Sequence, residues 1–225
     1  MTAPVVAIDG PSGAGKGTVA RRTAGALGWH LLDSGAFYRL VALAAAEAGT
    51  AVDDEAGLAA LASSLPVRFE GEAVWLGERE VSGDIRSEAC GTAASRVAAL
   101  PAVRQGLVGL QRSFRRPPGL VADGRDMGTV IFPDAELKVF LTASAAERAK
   151  RRYKQLKEKG FDVNLPALFA EVEARDRRDA ERAVAPLRPA PDARVIDSTT
   201  MTIDAVVAAV LDEVRRVLSP ATGRD

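Results

Sequence analysis

The sequence predicts an α/β fold, a parallel sheet flanked by helices, on three observations. Short apolar runs recur at residues 5–8, 120–122, 138–141 and 195–197, and each reads as a core strand. Stretches of helical composition separate them, as the crossovers between parallel strands require. A glycine-rich turn joins the first run directly to a helix. At 225 residues the chain suits one medium α/β domain with inserted subdomains, and one compact unit is expected.

The elements follow in order. Val5-Val6-Ala7-Ile8 is a β-branched run suited to a strand buried on both faces. Helical composition from Lys16 to Leu27 stops at Gly28. A strand around Leu31-Leu32 leads to Asp33-Ser34, which caps a helix running through Tyr38 to residue 48 and ending at Gly49. A helix is expected at 55–63. Between 67 and 81 the pattern shortens, with Val67, Phe69, Val74 and Leu76 set between Gly71 and Gly77, and a small antiparallel insert is expected. Helix returns over 88–114, interrupted near Pro101, and Arg115-Arg116-Pro117-Pro118-Gly119 is a loop. Two charged helices at 144–159 and 165–181 join around Gly160. The last strand precedes a helix at 203–218, and 219–225 is a tail.

Thirty basic residues balance thirty acidic ones, which removes any global electrostatic case for binding nucleic acid or a membrane surface. The single cysteine, Cys90, reads as a small buried residue, and His30, between Trp29 and Leu31, reads as structural. Nothing at the N-terminus has the character of a signal peptide, and no stretch approaches about 18 apolar residues. A cytoplasmic protein is expected.

Gly10-Pro11-Ser12-Gly13-Ala14-Gly15-Lys16-Gly17-Thr18 is the strongest signal. Gly-x-x-x-x-Gly-Lys after a buried strand and at the start of a helix is the P-loop, and it predicts a P-loop NTPase core. Glycines let backbone N–H groups converge on phosphate oxygens, the helix N-terminus favours anions, and Lys16 supplies a point charge to the β- and γ-phosphates. The residue after Lys16 is Gly17, and the hydroxyl expected to reach Mg²⁺ comes at Thr18. Gly-Lys-Gly-Thr is the variant of nucleoside monophosphate kinases. Asp123, at the end of a core strand, is the other candidate metal ligand, with a strand-end turn aspartate as the alternative. Arg125 and Asp126 follow at the carboxyl edge of the sheet, where open α/β sheets bind ligands.

The P-loop, Leu32-Asp33-Ser34-Gly35-Ala36-Phe37-Tyr38-Arg39, Asp123-Gly124-Arg125-Asp126-Met127-Gly128-Thr129-Val130 and Arg182-Ala183-Val184-Ala185-Pro186-Leu187 together resemble bacterial cytidylate kinases, over nearly the whole chain. The resemblance implies one kinase domain over 1–225. It also implies a monophosphate-binding subdomain at 34–114 that carries the insert near 67–81, and a helical lid at 148–164. It implies ATP as donor with Mg²⁺, CMP or dCMP as acceptor, and a monomer acting in pyrimidine metabolism. Ser95, Arg104 and Asp126 would read cytosine, whose amino group suits a carboxylate or hydroxyl and whose ring acceptors suit arginine. Arg39 and Arg125 would hold the acceptor phosphate, Asp179 and Arg182 its ribose, and Ser34 and Tyr38 would line the pocket. Ser95 as an ordinary helix serine and Tyr38 as packing remain open.

Between residues 144 and 188 twelve basic residues stand against eight acidic ones. Arg148 and Arg152 share one helix face, and Arg175, Asp179 and Arg182 another. Lys154, Lys157 and Lys159 read as a solvated face. The resemblance places Arg148, Arg152, Arg175 and Arg182 at the lid, acting on the phosphates with Lys16 and Arg125. No catalytic base is needed, because a nucleotide phosphate, with a second pKa of about 6, arrives already ionised. Three other readings stay open: a kinase for a different monophosphate, a GTPase-like switch, and nucleic-acid binding. The guanine-reading Asn-Lys-x-Asp segment is missing, since the only asparagine is Asn164, followed by Leu165, and the basic helices lack interleaved aromatics.

Overall fold

The computed structural model describes residues 2–71, 73–158 and 160–218. The expected tail at 219–225, Lys159 and Glu72 of the insert lie outside the described residues. In chain order the elements are β1 (Val5–Asp9), α1 (Lys16–Leu27), β2 (His30–Asp33), α2 (Ser34–Ala48), α3 (Glu55–Ser63), β3 (Val67–Glu70), β4 (Ala73–Leu76), β5 (Arg79–Glu80), α4 (Glu88–Val97), α5 (Pro101–Arg112), β6 (Leu120–Gly124), β7 (Leu137–Thr142), α6 (Ala145–Glu158), α7 (Leu165–Ala180), β8 (Arg194–Asp197) and α8 (Ile203–Leu218). The chain divides into two compact units, one comprising Met1–Leu32 and Phe114–Asp225, the other Asp33–Ser113.

The first unit is built on a five-stranded sheet in the order β2-β6-β1-β7-β8. β1 is parallel to both neighbours, pairing Val5 with Leu120 and Asp9 with Gly124 on one side and Ile8 with Val139 on the other. Every residue of β1 and β6 is buried, so an unbroken apolar run is what this central position demands. Val6, Ile8, Val121, Val139 and Leu141 pack with Val19 and Ala20 of α1 and with Val206 and Val210 of α8. Each such aliphatic side chain contributes about 1.5–3 kcal/mol. Gly119 is required by contact, since a Cβ there would lie 2.3 Å from the Trp29 ring. Gly28 and Gly49 end α1 and α2 in left-handed conformations, as the sequence predicts.

The second unit packs α2, α3, α4 and α5 around Phe37, Leu40, Leu58, Val97, Val103 and Leu107, all buried. Asp33 caps α2 through the Ala36 N–H, and Ser87 caps α4 through the Cys90 N–H. Pro101 stands in the first turn of α5, where its missing N–H costs nothing, and this splits the helical stretch expected over 88–114 into two helices. β3, β4 and β5 form the small antiparallel sheet, pairing Val67 with Leu76 and Trp75 with Glu80. Phe69 of β3 meets Phe37 edge-to-face at 5.5 Å between ring centres.

One feature of the first unit has no counterpart in the predicted elements: residues Met127–Ile131 form a single π-type turn. The Asp126 carbonyl accepts from both Val130 and Ile131 N–H, and the Met127 carbonyl from Phe132 N–H. Isolated π turns of this kind recur at functional sites. Among the described residues no helix is long and apolar enough to cross a membrane.

Candidate active site

β1 delivers the chain to Gly10, where φ is 148° and a Cβ would lie 1.9 Å from the Leu141 carbonyl oxygen, so only glycine fits. The loop closes at Gly15, at φ 94°, and α1 begins at Lys16. Lys16 is buried; its Nζ donates to the Pro11 carbonyl at 2.9 Å and lies 4.0 Å from Asp123 Oδ1. Burial pushes the Lys16 pKa below the ordinary lysine range, and the Arg125 and Arg175 charges push the same way against Asp123 and Asp9. A desolvated ammonium with two arginines in its field gains from the arrival of an anion, and the helix N-terminus adds to that preference.

Asp123 ends β6 and is buried. A Cβ on Gly17 would sit 3.4 Å from Asp123 Oδ2, so the position after Lys16 faces the carboxylate, while Thr18, one residue further round α1, is exposed. Among the described residues no group of three or more His, Cys, Asp or Glu is placed to hold a metal ion. One carboxylate beside a phosphate loop nevertheless suits Mg²⁺, which takes most of its ligands from phosphate and water.

Beyond Asp123, Arg125 Nε donates to Asp179 Oδ2 at 3.1 Å and its Nη1 to the Gly124 carbonyl, while Asp126 is buried. Here stands a residue that sequence reasoning passed over. Asp9, at the end of β1, is buried and accepts from Met127 N–H and Gly128 N–H, each at 2.8 Å. Burial raises its pKa to about 6, opposed by the two backbone hydrogen bonds; Asp126 adds to the rise and Lys16 opposes it. The available signal was a carboxylate closing an apolar strand immediately before the phosphate loop.

The basic helices hold their arginines in different ways. Arg148 is buried and committed to protein groups: Nε to the Ala143 carbonyl, Nη1 to the Ser12 carbonyl at 3.0 Å, and both terminal nitrogens to Asp176. It braces the P-loop backbone through the Ser12 carbonyl. Arg151, also passed over, bonds Glu147, the Ala14 carbonyl and Ser198, tying α6 to the same loop. Arg152 is partly exposed, 4.0 Å from Glu171. Arg182 Nε donates to the Asp179 carbonyl, and Leu187 N–H reaches the same oxygen, so the turn after α7 folds back on Asp179. That turn holds Ala185 at φ 51°, a left-handed backbone uncommon for a residue with a side chain.

In the second unit Ser34 donates to Gln111 at 2.7 Å, and Tyr38 lies beneath the Arg104 guanidinium at 5.4 Å. Arg104 is buried and also donates to the Ala98 carbonyl. Arg39 donates to the Ile85 carbonyl, and its own carbonyl accepts from the Cys90 thiol. The Ser95 hydroxyl is buried without a hydrogen-bond partner among the described residues. Ser34, Tyr38 and Arg39 thus lie on α2, Ser95 on α4 and Arg104 on α5.

The profile of the cytidylate kinase family matches residues 6–216. A cytidylate kinase of Methylococcus capsulatus is 59% identical over 217 residues, covering 95% of this chain and 98% of that protein. One of Aeromonas salmonicida is 57% identical over 224 residues, covering 98% and 97%. Among solved structures, a gluconokinase from Sinorhizobium meliloti covers 95% of this chain and 92% of its own at 14% identity and a TM-score of 0.49, too loose a likeness to carry an argument. A profile match across almost the whole chain, with relatives this similar over nearly their full lengths, shows that the chain belongs to the cytidylate kinase family.

Proposed function

We propose that this protein is a cytidylate kinase, transferring the γ-phosphoryl group of ATP in line to CMP or dCMP and giving CDP or dCDP and ADP. The observation that carries the reading is the buried Lys16 beside Asp123 at the P-loop, followed at the same strand end by Arg125 and Asp126, in a chain of that family. The P-loop residues 10–18 cradle the donor phosphates. Lys16, Arg125, Arg152, Arg175 and Arg182 offset charge spread over the transferred group, and Arg148 acts from beneath by holding the Ser12 carbonyl. Asp123, with Thr18 or water, would hold Mg²⁺, which when bound neutralises charge on the β- and γ-phosphate oxygens. Asp126, Arg104 and Ser95 read cytosine, Arg39 and Arg125 take the acceptor phosphate, Asp179 and Arg182 its ribose, and Ser34 and Tyr38 complete the pocket. The acceptor phosphate is the nucleophile and needs no base.

We place the protein in the cytoplasm, a reading supported by its one unpaired cysteine, acting on small molecules, as its balanced charge favours, and as a monomer on the family resemblance. Diphosphate formation from ATP with CMP, dCMP, UMP, AMP and GMP tests the activity. CMP or dCMP should lead, and Asp126→Ala should cost that lead roughly 10²-fold in kcat/KM, the penalty of losing a buried polar contact to the base. A purine leading, or an unchanged preference in the variant, would overturn the acceptor assignment.

A further inference from the structure

We infer that Asp9 is a positioning residue that sets acceptor selection by pinning the backbone that carries Asp126. The inference rests on the reading of Asp126 as a base contact. Asp9 has no part in the mechanism above, yet it is buried and fully engaged: Oδ1 accepts from Met127 N–H and Oδ2 from Gly128 N–H, the two donors that follow Asp126 in sequence. The carbonyl of the same peptide unit, that of Asp126, is held by Val130 and Ile131 N–H in the π-type turn. The peptide that follows Asp126 is therefore held at both its N–H and its carbonyl, with the Asp126 backbone at φ −146° and ψ 24°, outside regular helix or strand.

The anchor itself cannot drift. Asp9 is paired within the central strand, where it faces Gly124 in register, and the next residue, Gly10, is packed against the Leu141 carbonyl. The loop has little slack either: a Cβ on Gly124 would lie 2.7 Å from the Met127 side chain, and one on Gly128 would lie 3.1 Å from Lys138. One carboxylate thus joins the strand that opens the phosphate loop to the loop that carries the base contact. Two acceptor oxygens are needed for two parallel N–H donors, which only a carboxylate supplies; an amide offers one oxygen and opposes the second donor with its own N–H.

The test is Asp9→Asn and Asp9→Ser beside Asp126→Ala, with kcat and KM for CMP, UMP and ATP, and melting with and without ATP. The expected result for the Asp9 variants is a KM for CMP raised roughly tenfold, as for loss of one charge-assisted hydrogen bond. The preference for CMP over UMP should shrink, the KM for ATP should stay within about twofold, and the ATP-induced rise in Tm should persist, since the two hydrogen bonds of the Asp9 carboxylate go to the loop after β6 and not to the P-loop. A lower Tm with the CMP to UMP ratio intact overturns the inference, because a merely structural role would leave selection alone. Loss of the ATP-induced rise in both variants also overturns it, since the effect would not be local to the acceptor loop. If Asp126→Ala collapses the ratio and Asp9→Asn does not, the inference fails while the reading of Asp126 survives; if Asp126→Ala leaves the ratio intact, that reading fails and takes the inference with it.

Discussion

The five-stranded sheet of the first unit and the three-stranded sheet of the second differ in composition and in burial. β1 and β6 are covered along their whole length, whereas β3 alternates between partly buried and exposed residues and β5 is exposed. The candidate site residues follow the same division. In the first unit Asp123, Arg125 and Asp126 lie at or just past the end of β6, and Lys16 opens α1 after the loop leaving β1, so the backbone of a buried sheet places them. In the second, Ser34, Tyr38, Arg39, Ser95 and Arg104 come from three helices, and contacts such as Ser34 to Gln111 or Arg104 to the Tyr38 ring place several of them. Strand-end sites are preorganised by hydrogen-bonded sheet, and helix-borne sites by packing, which tolerates more adjustment.

The sharpest way to break this comparison is at Lys16. Lys16→Met should lower kcat by about 10²–10³-fold, the usual loss for one preorganised charge, while folding is retained. The pH behaviour gives its sign. Lys16 is held below its ordinary 10.5, so between its folded and unfolded pKa the unfolded chain binds the extra proton. Wild-type stability therefore gains from this group as pH rises from the depressed value toward 10.5, and Lys16→Met lacks that gain. Denaturant unfolding across alkaline pH checks it.

The next effect is at Asp9. With its carboxyl raised to about 6 from 3.8, the folded chain keeps a proton that the unfolded chain releases between those values. Stability should therefore fall as pH rises from about 4 to about 6, by about 3 kcal/mol, with Asp126 and Lys16 as the charged groups that modulate it. Asp9→Asn should flatten that slope, read by urea unfolding at stepped pH.

The smallest effect belongs to the helix-borne side. Ser95→Ala removes a buried hydroxyl that has no hydrogen-bond partner among the described residues. It should raise stability by about 1 kcal/mol and, if Ser95 contacts the base, raise the KM for CMP about fivefold. A variant less stable than wild type would count Ser95 among the packing residues.

The donor half of the site was legible because its residues are contiguous. Gly10 to Thr18 form one motif whose spacing encodes a backbone shape, and the apolar run before it announces the strand that presents it. Gly28, Gly49, Asp33 and Pro101 likewise carried helix boundaries, since capping is local chemistry. The acceptor residues were legible only through family resemblance, because a serine or arginine within a helix looks the same whether it faces a ligand or solvent.

Asp9, Arg148 and Arg151 mark where sequence stopped. Nothing near Asp9 indicates that its partners are the amides of Met127 and Gly128, 118 and 119 residues away. A four-residue spacing placed Arg148 and Arg152 on one helix face, yet one is buried against Ser12 and Asp176 while the other is partly exposed. Sequence alone determined the α/β class, the phosphate loop and the helix ends, because short-range periodicity, glycine sterics and capping decide those. Tertiary structure alone decided which charges meet across the sheet ends, because burial and pairing depend on neighbours brought together only by the folded chain.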